Sequence, residues 1–119
     1  MLLDARNMDY TTLNEAIRQA DEEIEVVDCL GQRFIGAGFR NKNITIHGIP
    51  GNALGAYLNG AEITVHGNAQ DAVGDTMNAG KIVIHGNIGD AAGYAMRGGE
   101  IYVQGNAGYR AGIHMKEYG

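Results

Sequence analysis

The sequence is poor in the residues that most often announce chemistry or export. Its 119 residues include one cysteine, one proline and no tryptophan. A lone Cys29 excludes an internal disulfide and a cysteine-rich metal site. Positive charge is scarce as well, with nine Lys and Arg against fourteen Asp and Glu and a net charge of −5. No basic run offers a surface that could track phosphates, so a nucleic-acid partner is not expected. No apolar run reaches the length of a signal peptide or a membrane span, and Asp4 and Arg6 interrupt the start. A membrane partner is therefore not expected, and the cytoplasm is the expected location. At 45% hydrophobic and 19% charged, the chain has the composition of one compact domain.

Glycine is abundant, and it is periodic. Ile44-Thr-Ile-His-Gly48, Ile63-Thr-Val-His-Gly67, Ile82-Val-Ile-His-Gly86 and Ile101-Tyr-Val-Gln-Gly105 open successive blocks of 19 residues without insertion or deletion. A second glycine recurs in each block as Gly55, Gly74, Gly93 and Gly112, and Gly36 marks a less regular copy before them. A fixed period of this length means a solenoid, whose units bury their apolar faces only by stacking on one another. The expected fold is all-β: a single-stranded parallel β-helix of about 19 residues per coil, with a short N-terminal capping helix. At about 4.8 Å per rung, five coils make a rod of about 24 Å.

The N-terminal segment, residues 1–23, stands outside the repeat; residues 24–119 form the β-helix, the two making one compact domain. Thr12-Leu-Asn-Glu15 has capping-box form, and Leu13, Ala16, Ile17 and Ala20 follow at helical spacing, which predicts a helix from about Thr12 to Asp21. The open end of the solenoid is the natural place for its apolar stripe. Ile24 to Leu30 reads as the first strand. Each later block reads as two short strands, the first alternating inward Ile44 and Ile46 with outward Thr45 and His47. In the second, Leu54 and Leu58, Val73 and Met77, Ala92 and Met96, and Ala111 and Met115 hold equivalent phases expected to point inward. Asn68, Asn87 and Asn106 follow the first glycine and are expected at the corners with positive φ. Glu62, Lys81 and Glu100 share one phase, alternating in sign as stacked neighbours should.

His47, His66 and His85 share an outward phase, so a metal or a proton-sensitive patch is one reading and solvated outer-face residues the other. The ladder contains no carboxylate or cysteine, and its fourth member is Gln104, which favours the second reading. His114 lies between Arg110 and Lys116 and breaks the repeat, making these three a possible partner contact. Gly86 to Gly93 imitates a phosphate loop, but related glycines recur in every block and no helix is expected to follow. Asp71 and Asp90 read as turn residues, the Met77, Met96 and Met115 column as core, and Cys29 as a small core residue. No catalytic or cofactor-binding residue is assigned.

The pattern Gly-Asn-x-Gly-Asp-x-x-Gly-x-x-Met-x-Gly-Gly, present from Gly86 to Gly99, resembles the C-terminal glycine-repeat (GXGXG) domain of the large (alpha) subunit of glutamate synthase. Gly67-Asn-Ala-Gln-Asp-Ala-Val-Gly74 and Gly108-Tyr-Arg-Ala-Gly-Ile-His-Met-Lys-Glu-Tyr118 look most like the stand-alone archaeal and bacterial form. The glycine-coil subunit of formylmethanofuran dehydrogenase is a more distant likeness. The resemblance implies a right-handed coil and a non-catalytic, structural or assembly role in a glutamate synthase-type oxidoreductase system of glutamate biosynthesis and nitrogen metabolism. Glutaminase and synthase subunits would be the partners, with FMN and an iron–sulfur cluster on the partner and no cofactor on this chain. Relatives of this kind continue with further coils, so the last coil is expected to present a bare edge for a partner or a second copy. The alternatives are a self-assembling solenoid, a subunit of another redox complex and an acyltransferase of the hexapeptide-repeat kind. An 18-residue left-handed coil is required for the last, and the 19-residue period counts against it.

Overall fold

The computed structural model describes residues 1–105 and the strand at 115–117. Seven strands form one sheet in sequence order, and every neighbouring pair is parallel. They are β1 (Leu2–Asp4), β2 (Glu23–Leu30), β3 (Asn43–Ile49), β4 (Asn59–His66), β5 (Ala79–Ile84), β6 (Glu100–Val103) and β7 (Met115–Glu117), with the helix α1 (Tyr10–Gln19) after β1. Each strand is one rung and, among the described residues, the segments between strands complete the coils, so the chain is a parallel β-solenoid. Its register is the register of the isoleucines: Ile24 stands beside Ile44, then Ile63, Ile82 and Ile101. All five are buried, as are Val26, Ile46, Val65, Ile84 and Val103 two residues on. Alternation at period two thus supplies one wall of the core. The same register sets Glu62 beside Lys81 and Lys81 beside Glu100, the alternating ladder expected from the sequence.

Among the described residues the second segment of a block is not a strand. It is a run of turns, over 52–57 and again over 71–76. Ordinary residues take the left-handed conformation there: Ala53, Tyr57, Ala72, Thr76, Ala91 and Ala95 all have φ between 53° and 61°. The inward positions expected in the first three blocks are nevertheless found, since Leu54, Leu58, Val73, Met77, Ala92 and Met96 are buried, and Ala111 lies outside the described residues. Leu54 and Leu58 lie four apart, which two successive turns satisfy and a strand does not make necessary. The asparagines also differ from expectation. Asn68 and Asn87 do not have positive φ. Instead the Asn68 Oδ1 accepts the backbone N–H of Asn87 one coil on, at 2.8 Å. Asn106 lies outside the described residues.

Two irregularities mark the ends. Between β2 and β3 the register slips at Asp28, a residue with φ of 57°: Ile24 pairs with Ile44 before it, twenty residues on, and Cys29 with Gly48 after it, nineteen residues on. At the other end Met115 pairs with Ile101, fourteen residues away rather than nineteen. Met115 therefore leaves the phase of Met77 and Met96 and serves the open edge of β6.

The helix starts earlier than the sequence suggests. Asp9, not Thr12, is the N-cap, and its carboxylate accepts the Thr12 backbone N–H at 2.8 Å. That hydrogen bond holds the Asp9 carboxyl below its usual range, so the cap is complete above the ordinary aspartate pKa and is lost as pH falls through the lowered value. At the far end Ala20 is extended, which ends the helix before Asp21. Lys42 Nζ donates to the carbonyls of Arg18, Ala20 and Asp21, satisfying groups that a helix end leaves open. Leu13 and Ile17 are fully buried against the first coil.

Asn14 shows how the helix substitutes for a coil. Within the solenoid, Gly55 N–H donates to Ile35 O, Gly74 N–H to Leu54 O, and Gly93 N–H to Val73 O. Gly36 has no preceding coil, and its N–H donates to the Asn14 Oδ1 at 2.9 Å, while Asn14 Nδ2 donates to Phe34 O. Asn14→Ala leaves a buried N–H unpaired and is expected to cost about 1–2 kcal/mol, read as a lower urea midpoint at unchanged m-value.

Candidate functional site

The outer face of the sheet carries the side chains that alternate with the buried isoleucines. Its centre is the histidine column. The His47 and His66 rings lie 5.0 Å apart at 15°, and the His66 and His85 rings 5.0 Å apart at 7°. Strand pairing alone produces this stack, because identical positions on parallel neighbours repeat at nearly the same distance. The column is bounded by polar groups at both ends. His47 Nε2 lies 2.7 Å from Glu25 Oε1, and His85 Nδ1 lies 2.9 Å from Gln104 Oε1. Glu25 was not visible as a partner in the sequence, since it pairs in register with Thr45 and reaches His47 diagonally. Parallel rings aim their nitrogens along a line instead of toward one point, unlike the tetrahedral convergence of a zinc site. Among the described residues no group of three or more His, Cys, Asp or Glu is placed to hold a metal ion.

The glycine motif has a different use. A Cβ on Gly67 would stand 2.5 Å from Gly48 O, and one on Gly86 would stand 2.3 Å from Gly67 O. Gly48 and Gly105 make the same close approach to the coil before them. These glycines are contact points between coils, with no room left to cradle a phosphate. Asp71 and Asp90 belong to the same stacking: Asn52 Oδ1 accepts Asp71 N–H at 3.0 Å, and Asp71 Oδ1 accepts Asp90 N–H at 2.8 Å. The Asp71 carboxylate thus supports the backbone ladder.

Cys29 is buried beside Gln32, whose Oε1 accepts from its Sγ at 3.2 Å. Gln32 also accepts the Leu30 N–H and donates to the carbonyls of Ala5 and Met8, fastening the N-terminal segment to the first coil. Burial pushes the Cys29 thiol up to about 11. At pH 8 the native protein is expected to alkylate roughly 100-fold more slowly than an ordinary cysteine, and unfolding in denaturant should restore the ordinary rate. Iodoacetamide labelling followed by intact mass measures both. Of the expected partner contacts, Arg110 and His114 lie outside the described residues, as does Gly112, and only the strand that contains Lys116 is described.

Backbone ladders, stacked asparagine and aspartate oxygens, and glycines closed against the neighbouring coil define a glycine-rich β-solenoid whose motif is spent on packing. The chain belongs to the GXGXG motif family, whose sequence profile matches residues 15–118. It is 47% identical over 66 residues to an uncharacterised protein of Methanocaldococcus jannaschii. That match covers 49% of this chain and 25% of the relative, so the chain is matched to about a quarter of the relative's length. No solved structure matches it.

Proposed function

We propose that this chain is a non-catalytic assembly module of a glutamate synthase-type enzyme system. The observation that carries this reading is that the family motif, matched over residues 15–118, places its glycines in coil-to-coil contacts. A motif spent in that way builds a surface and performs no reaction. Glutaminase and synthase chains are the partners, with FMN and the iron–sulfur cluster on the synthase, and the flat outer face and solenoid ends are the docking surfaces.

The test is mild affinity purification of the tagged chain from its native cells, followed by reconstitution with the proteins that return. Glutaminase and flavin or iron–sulfur synthase proteins are expected, and glutamine-dependent glutamate formation should rise when the chain is added back. Glutaminase or synthase turnover by the pure chain would overturn the reading. Recovery of the chain by itself, with a mass that grows with concentration, would replace it with end-to-end self-assembly.

A further inference from the structure

The chain is acidic as a whole, but the sign reverses beside the C-terminal end of α1. There the first coil passes under the helix and leaves a pocket of about 240 Å3 lined by Arg18, Gly38, Phe39, Arg40, Asn41 and Lys42. Three of the six are cations and none is a carboxylate. Their charges are not equally committed. Arg18 is paired with Glu15 at 2.5 Å, and its guanidinium lies 5.1 Å over the Phe39 ring. Lys42 spends its donors on the carbonyls of Arg18, Ala20 and Asp21 at the end of the helix, and it makes no ion pair among the described residues. Arg40 is exposed, and its guanidinium has no hydrogen bond or ion pair among the described residues. An exposed guanidinium with no ion pair attracts an anion, and the planar fork of arginine matches a carboxylate best.

The surroundings narrow the choice of anion. Glu22, Glu23 and Glu62 line the adjoining groove, which shares Asn41 and Lys42 with the pocket. That acidic rim repels a polyanion or a doubly charged phosphate more than a single carboxylate. The pocket is also smaller than the roughly 300–1,000 Å3 of a cofactor or drug-sized site. Phe39, almost wholly buried, gives an apolar wall for a short methylene stem.

We propose that the pocket lined by Arg40, Asn41, Lys42 and Phe39 is a docking site for one acidic side chain, glutamate or aspartate, of a partner protein. The inference rests on the reading of this chain as a docking module. Its test uses the isolated chain and a small probe, so failure here is distinct from failure of the reconstitution.

The 15N-labelled protein is titrated with N-acetylglutamate N-methylamide, and in parallel with the glutamine analogue and with inorganic phosphate. Saturable shifts confined to Gly38, Arg40, Asn41 and Lys42 are expected with the glutamate probe and not with glutamine. Arg40→Gln should weaken them by about fivefold, the range of one exposed charge pair, and leave the remaining spectrum in place. Equal shifts with the glutamine analogue, no saturable shift with glutamate, or unchanged binding by Arg40→Gln would each overturn the proposal. Tighter binding of phosphate would also overturn it and make the pocket a site for a free oxyanion.

Discussion

Gly67→Ala is expected to lower stability by about 3 kcal/mol, which for a chain of this size is a fall of roughly 10–15 °C in Tm. Gly67 has φ of +151°, and a Cβ there would lie 2.5 Å from Gly48 O and 3.5 Å from Gly48 C. The obstacle is backbone of the preceding coil, so no rotamer change relieves it. Either β3 and β4 separate at their ends or the carbonyl rotates out of line, and both disturb stacking that each coil transmits to the next. Gly31→Ala is the control. Gly31 has φ of +79° with nothing within 4 Å of where a Cβ would stand, so only the backbone penalty of about 1 kcal/mol remains. Thermal melts of the two variants against the parent protein decide the matter. Equal shifts would mean that the coils are not held at the separation described.

The contrast between those glycines also explains how much of the molecule was legible in the sequence. The strand wall was legible because one residue type, isoleucine, recurs at one phase, and parallel pairing puts equal phases side by side. The opposite wall was legible in what it buries and not in how it bends. Ala53, Ala72 and Ala91 look like helix or strand formers, and nothing in an alanine announces a left-handed φ that the coil imposes. The helix starts earlier than Thr12 and Glu15 suggest because the cap that forms is a single hydrogen bond from the Thr12 N–H to the Asp9 carboxylate, which needs no glutamate three residues on. Asn68 acts not through a left-handed backbone but through a side-chain oxygen that becomes an acceptor only when another coil lies above it.

The sites divide in the same way. The histidine column follows from the repeat, since it lies along one phase. Its contact with Glu25 does not, because it needs a diagonal reach between β2 and β3. The basic pocket was invisible for a stronger reason. Arg18 belongs to the helix, whereas Arg40 and Lys42 end the first coil, and only helix docking through Asn14 and Lys42 brings them to one place. Repeats reveal what lies along the solenoid axis, whereas contacts between the repeat and a segment outside it have no periodic signature.

Ile82→Ala is expected to cost about 3–4 kcal/mol, the range for truncating a fully buried isoleucine in a core that cannot collapse around the gap. The neighbours of Ile82 are Ile63 and Ile101 on adjacent rungs, fixed by strand pairing, so the cavity stays open. Ile82→Val removes only the outer methyl and should cost about 1 kcal/mol. That methyl has a specific counterpart across the interior: a Cβ on Gly55 would stand 2.6 Å from Ile82 Cδ1 and 3.4 Å from Ile63 Cδ1. Gly55→Ala therefore combines backbone strain at φ of +67° with overpacking, together about 2–3 kcal/mol. In the Ile82→Val background the closest obstacle is gone, and the same glycine substitution should cost about 1 kcal/mol less. Urea unfolding of the parent, the two single variants and the double variant closes this cycle. Additive costs would place Gly55 away from Ile82 and break the registry between the turn wall and the strand wall, whereas a coupling of the expected sign fixes how far the chain rises as it passes from one wall to the other.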